Sequence, residues 1–343
     1  MNRKAVFVGG MLLIAGLLAQ TAQAHQWSCF SQADRNVRYR NASGGSQAQA
    51  ALNDWNSMTI LNLSSVSSGE ETYVFNANSG ATGWGGLARI TSLSGCTIRR
   101  ATAQVNTYYF SAGSLSARGV HCQEVGHTFG LDHSNDGGCM GGGYWYSIST
   151  AYRPVSHNVS DIGSMYANKA LKHDDDHQHP TVGPESGTPL IHAYWANNPR
   201  TLGQTTRLAT DVVVAMVTDV TDGDPISIGE EGTIPSQRVH FTVRRTKKGS
   251  MAAGDSFVLF QNGNYRNRLD EDPSYKVGAR YLLFLSPRED GTYLVVSPEG
   301  RYQVTPNGLV PAAHKGFAAD LKGSSVEDVL FDVDRALEDI LER

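Results

Sequence analysis

The segment from residue 123 to residue 133 carries the side chains best suited to chemistry in this chain. Gln123 and His127 are four residues apart, so on a helix they project from nearly the same face, one turn apart. Glu124 follows Gln123 directly and points toward the same edge. Gly130 lets the chain turn sharply, because it has no side chain to clash, and the turn brings His133 back toward the helix.

This combination of residue types is typical of a metal site that hydrolyses its substrate. A catalytic zinc ion takes about three protein ligands and keeps one position open, where it lowers the pKa of bound water. A neighbouring carboxylate can take a proton from that water as it attacks a peptide carbonyl, and then pass the proton to the leaving amine. The pattern predicts Zn²⁺ bound by Gln123, His127 and His133, with Glu124 as the general base.

The same stretch resembles the motif of the metzincin metallopeptidases, and of their matrixin-like branch in particular, over about residues 36–166. That motif reads H-E-x-x-H-x-x-G-x-x-H and is followed by a methionine turn. On this chain Glu124 matches the general base, while His127 and His133 match the second and third zinc ligands. Gly130 matches the turn glycine, and Met140 matches the methionine beneath the metal. The resemblance implies a metzincin-like catalytic domain and a zinc-dependent endopeptidase.

The first ligand position departs from the family motif, since Gln123 stands where the family has histidine. The carbonyl oxygen of glutamine can bind a metal, but it is a weaker zinc ligand than imidazole. His121 is an alternative ligand if the start of the helix unwinds, although it lies six residues before His127 and off that face. The alternative function is a catalytically inactive metzincin fold that serves as a binding or adaptor protein.

Four cysteines lie in the first half of the chain, and an even number in an exported protein argues for two disulfides. Three pairings of Cys29, Cys96, Cys122 and Cys139 are possible. We favour Cys29–Cys96 and Cys122–Cys139, because the second bond would fasten the metal-binding helix to the methionine turn. A zinc site made of cysteines is less consistent with the sequence, since no two cysteines have C-x-x-C spacing.

The elements that must position these residues alternate between helix and strand up to about residue 170. Apolar periodicity predicts helices over 46–63 and 117–130. It predicts strands over 36–40, 72–75 and 98–110, and glycines at 80, 83, 85 and 86 interrupt the chain between the last two. We therefore assign residues 25–170 to the metzincin-like catalytic domain.

The second half of the chain has a different pattern. A charged run followed by proline and glycine predicts a flexible His/Asp-rich linker over 171–207. Residues 208–343 contain six short apolar strands, which predict a small all-β barrel or sandwich. Ser324 and Glu327 form a capping box for a C-terminal helix that would pack on it. The fold class is α+β. The sequence leaves the partner of this β-domain open. One possibility is that the β-domain itself covers the catalytic cleft and regulates access to it.

The first 24 residues have the pattern of a secretory signal peptide. Arg3 and Lys4 precede an apolar run over 5–18, and Ala22-Gln23-Ala24 is a cleavage site that would leave His25 first. The protein is expected to be secreted, into a periplasm or outside the cell. Loss of the two basic residues takes the formal net charge from −4 to −6. We therefore expect a protein or peptide substrate, no nucleic acid partner and no membrane span.

Overall fold

The computed structural model describes residues 25–134, 136–141, 152–169, 190–264, 267, 269 and 271–341. The predicted signal peptide over 1–24 and residues 171–189 of the predicted linker lie outside these ranges. Within them the chain is a mixture of α-helix and β-strand with a small β-barrel, in agreement with the α+β fold class.

The first half is built on one twisted sheet with the strand order β3-β2-β4-β6-β5-β7, and the short β1 lies beside β6. Strands β2, β3, β4 and β6 are parallel, whereas β5 runs antiparallel to β6, and β7 antiparallel to β5. The elements are β1 (Ser31–Gln32), β2 (Asn36–Asn41), α1 (Ser46–Met58), β3 (Asn62–Ser65), β4 (Thr72–Ala77), β5 (Trp84–Ser94), β6 (Thr97–Asn106), α2 (Leu115–Thr128), α3 (Ser156–Tyr166) and β7 (Leu190–Trp195).

Three boundaries in this half differ from the prediction. The first helix ends at Met58 instead of residue 63, because residues 62–65 pair with β2 as strand β3. The strand predicted over 98–110 ends at Asn106. The glycine-rich segment opens β5, where only a break was predicted. A glycine inside a strand often marks a close approach of another element, and here that element is α2.

The predicted linker over 171–207 is wrong in its second part. Residues 190–195 form β7, and residues 202–208 form α4 (Leu202–Leu208). Successive side chains of a strand point to opposite faces. Ile191 and Ala193 pack with apolar residues on one side of the sheet, while Tyr194 packs with Val120 of α2 on the other. The composition of this segment did not predict a strand, because the strand forms through pairing with β5, which is distant in the sequence.

The core of the first half lies between the sheet and helices α1 and α2. Trp55 of α1 and Phe129 at the end of α2 meet edge to face with ring centroids 5.8 Å apart. The Trp55 indole N–H also donates to the carbonyl oxygen of Cys122 at 2.9 Å. The predicted disulfides are confirmed, since Cys29 is bonded to Cys96 and Cys122 to Cys139. The second bond fastens α2 to the segment that carries Met140.

The second half is a small β-barrel. Strand β14 pairs with both β12 and β13, so the order β12-β11-β8-β13-β14 closes on itself, and β15 and β16 extend the sheet from β13. The remaining elements are β8 (Asp211–Asp222), β9 (Ile226–Ser227), β10 (Thr233–Ile234), β11 (Ser236–Lys248), β12 (Ser256–Asn262), β13 (Arg280–Pro287), β14 (Tyr293–Val295), β15 (Arg301–Thr305), β16 (Gly308–Pro311), α5 (Phe317–Asp320) and α6 (Val326–Leu341).

The C-terminal helix α6 packs on the barrel as predicted. Val329, Leu330 and Val333 are buried in one apolar cluster with Phe284 and other barrel residues. The capping residue is Ser325, one position later than predicted, because its hydroxyl accepts from the backbone N–H of Asp328 at 3.1 Å. No helix in the described part of the chain is both long enough and apolar enough to cross a lipid bilayer.

Candidate metal centre

Helix α2 is held so that its second half lies in the centre of the first domain. Ser114 caps its start by accepting a hydrogen bond from the backbone N–H of Ala117 at 3.1 Å. Past its end, Gly130 has a φ of +92°, and a Cβ atom there would lie 2.0 Å from the carbonyl oxygen of Phe30. Only glycine fits this turn. The turn sends the chain back, so that His133 faces His127 as the motif predicts.

The imidazoles of His127 and His133 meet at the predicted centre. Their Nε2 atoms are 3.2 Å apart. The Nδ1 atom of His127 lies 2.8 Å from the carbonyl oxygen of Leu131, a contact that requires an N–H at Nδ1 and leaves the Nε2 lone pair for another partner. Burial lowers the pKa of both histidines, that of His133 to about 3, so both are neutral near pH 7. Neutral imidazole is the form that binds metal.

A third imidazole comes from outside the predicted motif. His192 of β7 stacks on His127 with ring centroids 4.2 Å apart, and its ring is 4.4 Å from that of His133. One ring nitrogen of each histidine lies within 4.8 Å of the other two. The described residues thus include a buried group of three histidines that could hold a metal ion. Sequence reasoning missed His192 because it fell within the predicted linker.

Two carboxylates and a lysine contact this group of histidines. The Nδ1 atom of His192 contacts Glu271 of the β-domain, and its Nε2 atom is 3.4 Å from Oδ1 of Asp132. Lys315 of the β-domain lies 3.4 Å from Asp132 and donates to the carbonyl oxygen of His133 at 3.2 Å. Burial lowers the pKa of His192, but Glu271 and Asp132 outweigh it and raise that pKa to about 10. His192 is therefore protonated near pH 7 in this arrangement and must give up a proton before it can bind a metal. A carboxylate behind a histidine also orients metal ligands.

Glu124 is fully buried, and it is near enough to His192 and Glu271 for their charges to affect its pKa. Neither carboxylate oxygen has a well-formed hydrogen bond, although the backbone N–H of Tyr194 is close enough to favour the ionised form. Burial dominates and raises the pKa of Glu124 well above its usual value. Space for the carboxylate depends on Gly86 of β5, since a Cβ atom there would be 2.4 Å from Glu124 Oε1.

Gln123 also reaches the centre. Its Nε2 atom is 2.5 Å from Nε2 of His133, while its buried Oε1 atom has no hydrogen-bond partner. A half-turn of the amide would exchange these two atoms, so a role as metal ligand stays a prediction. His121 does not belong to the group: its Nε2 atom is 3.0 Å from Oδ1 of Asn76. Because α2 begins at Leu115 and is regular here, the unwinding that His121 would need does not occur.

Met140 is fully buried beneath α2, in the same apolar cluster as Cys122 and Val125. Its backbone carbonyl oxygen accepts a hydrogen bond from the backbone N–H of Ser134 at 2.8 Å. This bond ties the segment directly after His133 to the turn below the helix. The turn therefore supports the position of His133, as the methionine of the predicted motif would.

A cleft of about 910 Å³ opens beside the histidines. Both halves of the chain line it: Trp27, Gln123, His133 and Trp195 belong to the first half, and the segment 312–317 belongs to the β-domain. No family model matches the chain, and no curated protein is significantly similar to it. The functional argument therefore depends on the geometry of this centre.

Proposed function

We propose that this chain is a zinc-dependent peptidase in which His127, His133 and His192 hold the metal ion and Glu124 is the general base. The observation that carries the proposal is the convergence of three imidazoles beside a buried carboxylate. Three protein ligands with one open position are the ligand set of catalytic zinc sites. The resemblance of residues 123–140 to the metzincin motif supports the same function, with His192 in place of the imidazole that Gln123 lacks.

The ligand set fits zinc better than it fits a hard cation. Imidazole nitrogens suit zinc and other transition metals, whereas calcium and magnesium prefer oxygen ligands. The contact from Glu271 to the far nitrogen of His192 is the support that ligating histidines usually receive. Without an ion, the Nε2 atoms of His127 and His133 would face each other at 3.2 Å.

Glu124 would move the proton in hydrolysis. When bound, zinc supplies a Lewis acid that polarises the peptide carbonyl and activates water. Glu124 takes a proton from the attacking water and delivers it to the nitrogen of the leaving amine. Both oxygens of Glu124 are buried in this structure and neither has a well-formed protein donor, so water would reach the carboxylate only after the residues that cover it move. The substrate would enter through the cleft, whose tryptophans Trp27 and Trp195 suit apolar side chains.

A non-catalytic metal-binding or adaptor protein is the second candidate function. The observation in its favour is β7, which pairs with β5 from Trp84 to Ile90 and brings the backbone of Tyr194 against Glu124. An extended peptide binds a sheet by adding a strand to such an edge. In this alternative β7 fills the position of a peptide, and the β-domain recognises a partner.

Zinc content and hydrolysis of the Glu124→Gln variant test the proposal. Glutamine keeps the shape of glutamate but cannot carry the proton. We expect Glu124→Gln to bind as much zinc as the wild type, and to hydrolyse an unfolded protein substrate about 10²–10⁴-fold more slowly. His127→Ala/His133→Ala should lose the ion of this centre. Zinc binding without hydrolysis by the wild type would favour the second candidate as a metal-binding protein, and absence of zinc from this centre would contradict the peptidase and favour an adaptor.

A further inference from the structure

A second cluster of metal-binding side chains lies away from the centre described above, where the start of the described chain meets α3. His25 and His157 bring ring nitrogens within 2.8 Å of each other, Nδ1 of the first and Nε2 of the second. The Oδ2 atom of Asp161 lies 3.7 Å from the former and 3.3 Å from the latter. The Oδ2 atom of Asp136 lies 3.1 Å from the same nitrogen of His157.

Hydrogen bonds and ion pairs alone do not satisfy this arrangement. The Nε2 atom of His157 carries either one proton or one lone pair, yet three polar atoms converge on it. If both imidazoles were protonated to pair with the two carboxylates, two N–H groups would point at each other across 2.8 Å. If only one were protonated, at least one carboxylate would lack a donor. A single cation among Nδ1 of His25, Nε2 of His157 and Oδ2 of Asp161, which lie within 4.8 Å of one another, satisfies all three atoms.

Asp161 gives independent evidence for a missing ligand. Asp161 is buried, with 5% of its surface exposed. Its Oδ2 atom, which faces the two histidines, has no hydrogen-bond partner. Burying a carboxylate oxygen without a hydrogen bond is unfavourable, because the oxygen loses its contacts with water and gains none of equal strength. The structure tolerates such an atom if a cation normally occupies the space before it.

We propose that His25, His157 and Asp161 form a second metal site for a divalent transition metal, with Asp136 at its rim. Ligand atoms at about 2.0–2.2 Å from a tetrahedral zinc ion are about 3.3 Å apart, and the contacts among these atoms span 2.8–3.7 Å. His157 and Asp161 are four residues apart on α3, so they share one helix face. His25 and Asp136 are partly exposed, which leaves a path for the ion.

The site would fasten the beginning of the mature chain to the first domain. The carbonyl oxygen of His25 accepts a hydrogen bond from the backbone N–H of Asp132 at 2.8 Å, and Gln26 forms a β-bridge with Leu131. The ion would therefore connect three segments: the first residues after the predicted cleavage site, the loop that follows His133, and α3. Its role would be structural, and it does not depend on peptidase activity.

Metal counting on the mature protein tests the site. The chain beginning at His25 is equilibrated with Zn²⁺ alone, or with Cu²⁺ alone, freed of excess ion by gel filtration and measured by elemental analysis. We expect His157→Ala and Asp161→Asn each to bind one ion fewer per chain than the wild type. The matched control His240→Ala, on β11, should bind as many as the wild type. Because the result is a difference, it holds whether or not the three-histidine centre is filled.

Thermal unfolding gives a second measurement that does not depend on counting. The added metal should raise the melting temperature of the wild type by more than that of Asp161→Asn, because only the wild type gains a ligand at this site. Circular dichroism of the variants without metal checks that they are folded. Equal ion numbers and equal temperature shifts in the wild type and both variants would overturn the proposal, and would leave the cluster as ion pairs only.

Discussion

The two sides of the candidate metal centre are built in different ways. The α2 side consists of residues 123–133, which are consecutive and include Glu124, His127 and His133. The β7 side consists of His192, Glu271 and Lys315, which come from three segments far apart in the sequence. The first side depends on helix geometry and one glycine turn. The second exists only because β7 pairs with β5 and because the barrel packs against the first domain.

This difference bears on the proposed function, because the α2 side departs from the motif that it resembles. On the α2 side the position of the first imidazole is occupied by Gln123, a weaker donor to zinc. On the β7 side a histidine enters the same space and stacks on His127. The centre thus keeps three imidazoles, although only two belong to the local motif. Under the proposed function, the β7 side is indispensable for binding metal.

Among the variants proposed here, removal of His192 should have the largest effect on zinc binding. Loss of a partner behind a metal ligand costs about 10–100-fold in affinity, so we expect loss of the ligand itself in His192→Ala to weaken zinc binding by more than about 100-fold. The measurement is a competition titration against a chelator. Gln123→Ala is the matched comparison, and it should weaken binding less.

The double variant Gln123→His/His192→Ala sharpens the same test. The Nε2 atom of Gln123 already lies 2.5 Å from that of His133, so an imidazole at position 123 should reach the ion and restore most of the affinity. Unchanged zinc binding in His192→Ala would show that the β7 side supplies no ligand. If His192→Ala instead hydrolysed the substrate faster than the wild type, β7 would be identified as an obstacle to the substrate.

Glu271→Gln should have the next largest effect, because it keeps a polar group beside His192 but removes the negative charge. We expect zinc affinity to fall by about 10–100-fold, the usual cost of losing such a partner. Glu299→Gln is the control, since Glu299 lines the same cleft. If both variants bound zinc as the wild type does, the barrel would have no part in the centre.

Gly86→Ala tests the α2 side through the room left for Glu124. The added methyl group would lie 2.3 Å from Val120 Cγ1 and 2.4 Å from Glu124 Oε1, so α2 must shift. We expect a loss of about 1–3 kcal/mol in the free energy of unfolding, as for other overpacked sites. Hydrolysis should fall while zinc is retained. Gly113→Ala is the control, because a Cβ atom at Gly113 meets no neighbour within 4 Å.

Lys315→Ala should have the smallest effect. The side chain of Lys315 is 53% exposed, and it lies 3.4 Å from the carboxylate of Asp132. Exposed ion pairs contribute at most about 1 kcal/mol, so zinc affinity should change little. The same titration measures it. A loss as large as that of Glu271→Gln would show that the barrel acts on the centre chiefly through Lys315.

The sequence by itself determined the features that depend on local spacing. Residues four apart on a helix share a face, which placed Gln123 and His127 together, and Gly130 predicted a turn that only glycine can make. The short apolar runs of the second half predicted the strands of the barrel, and the cysteine count led to the two disulfides. These are short-range properties of the chain, and they do not require knowledge of which distant elements meet.

Only the tertiary structure decided what depends on distant pairing. Residues 190–195 look like part of a linker, and they become a strand because the edge of β5 offers backbone hydrogen-bond partners. That pairing turns His192 toward α2, and the position of the barrel then brings Glu271 and Lys315 to it. The same holds for His25, whose ring meets His157 only after the chain has folded. Distances between such residues are set by the packing of whole elements, which no local pattern encodes.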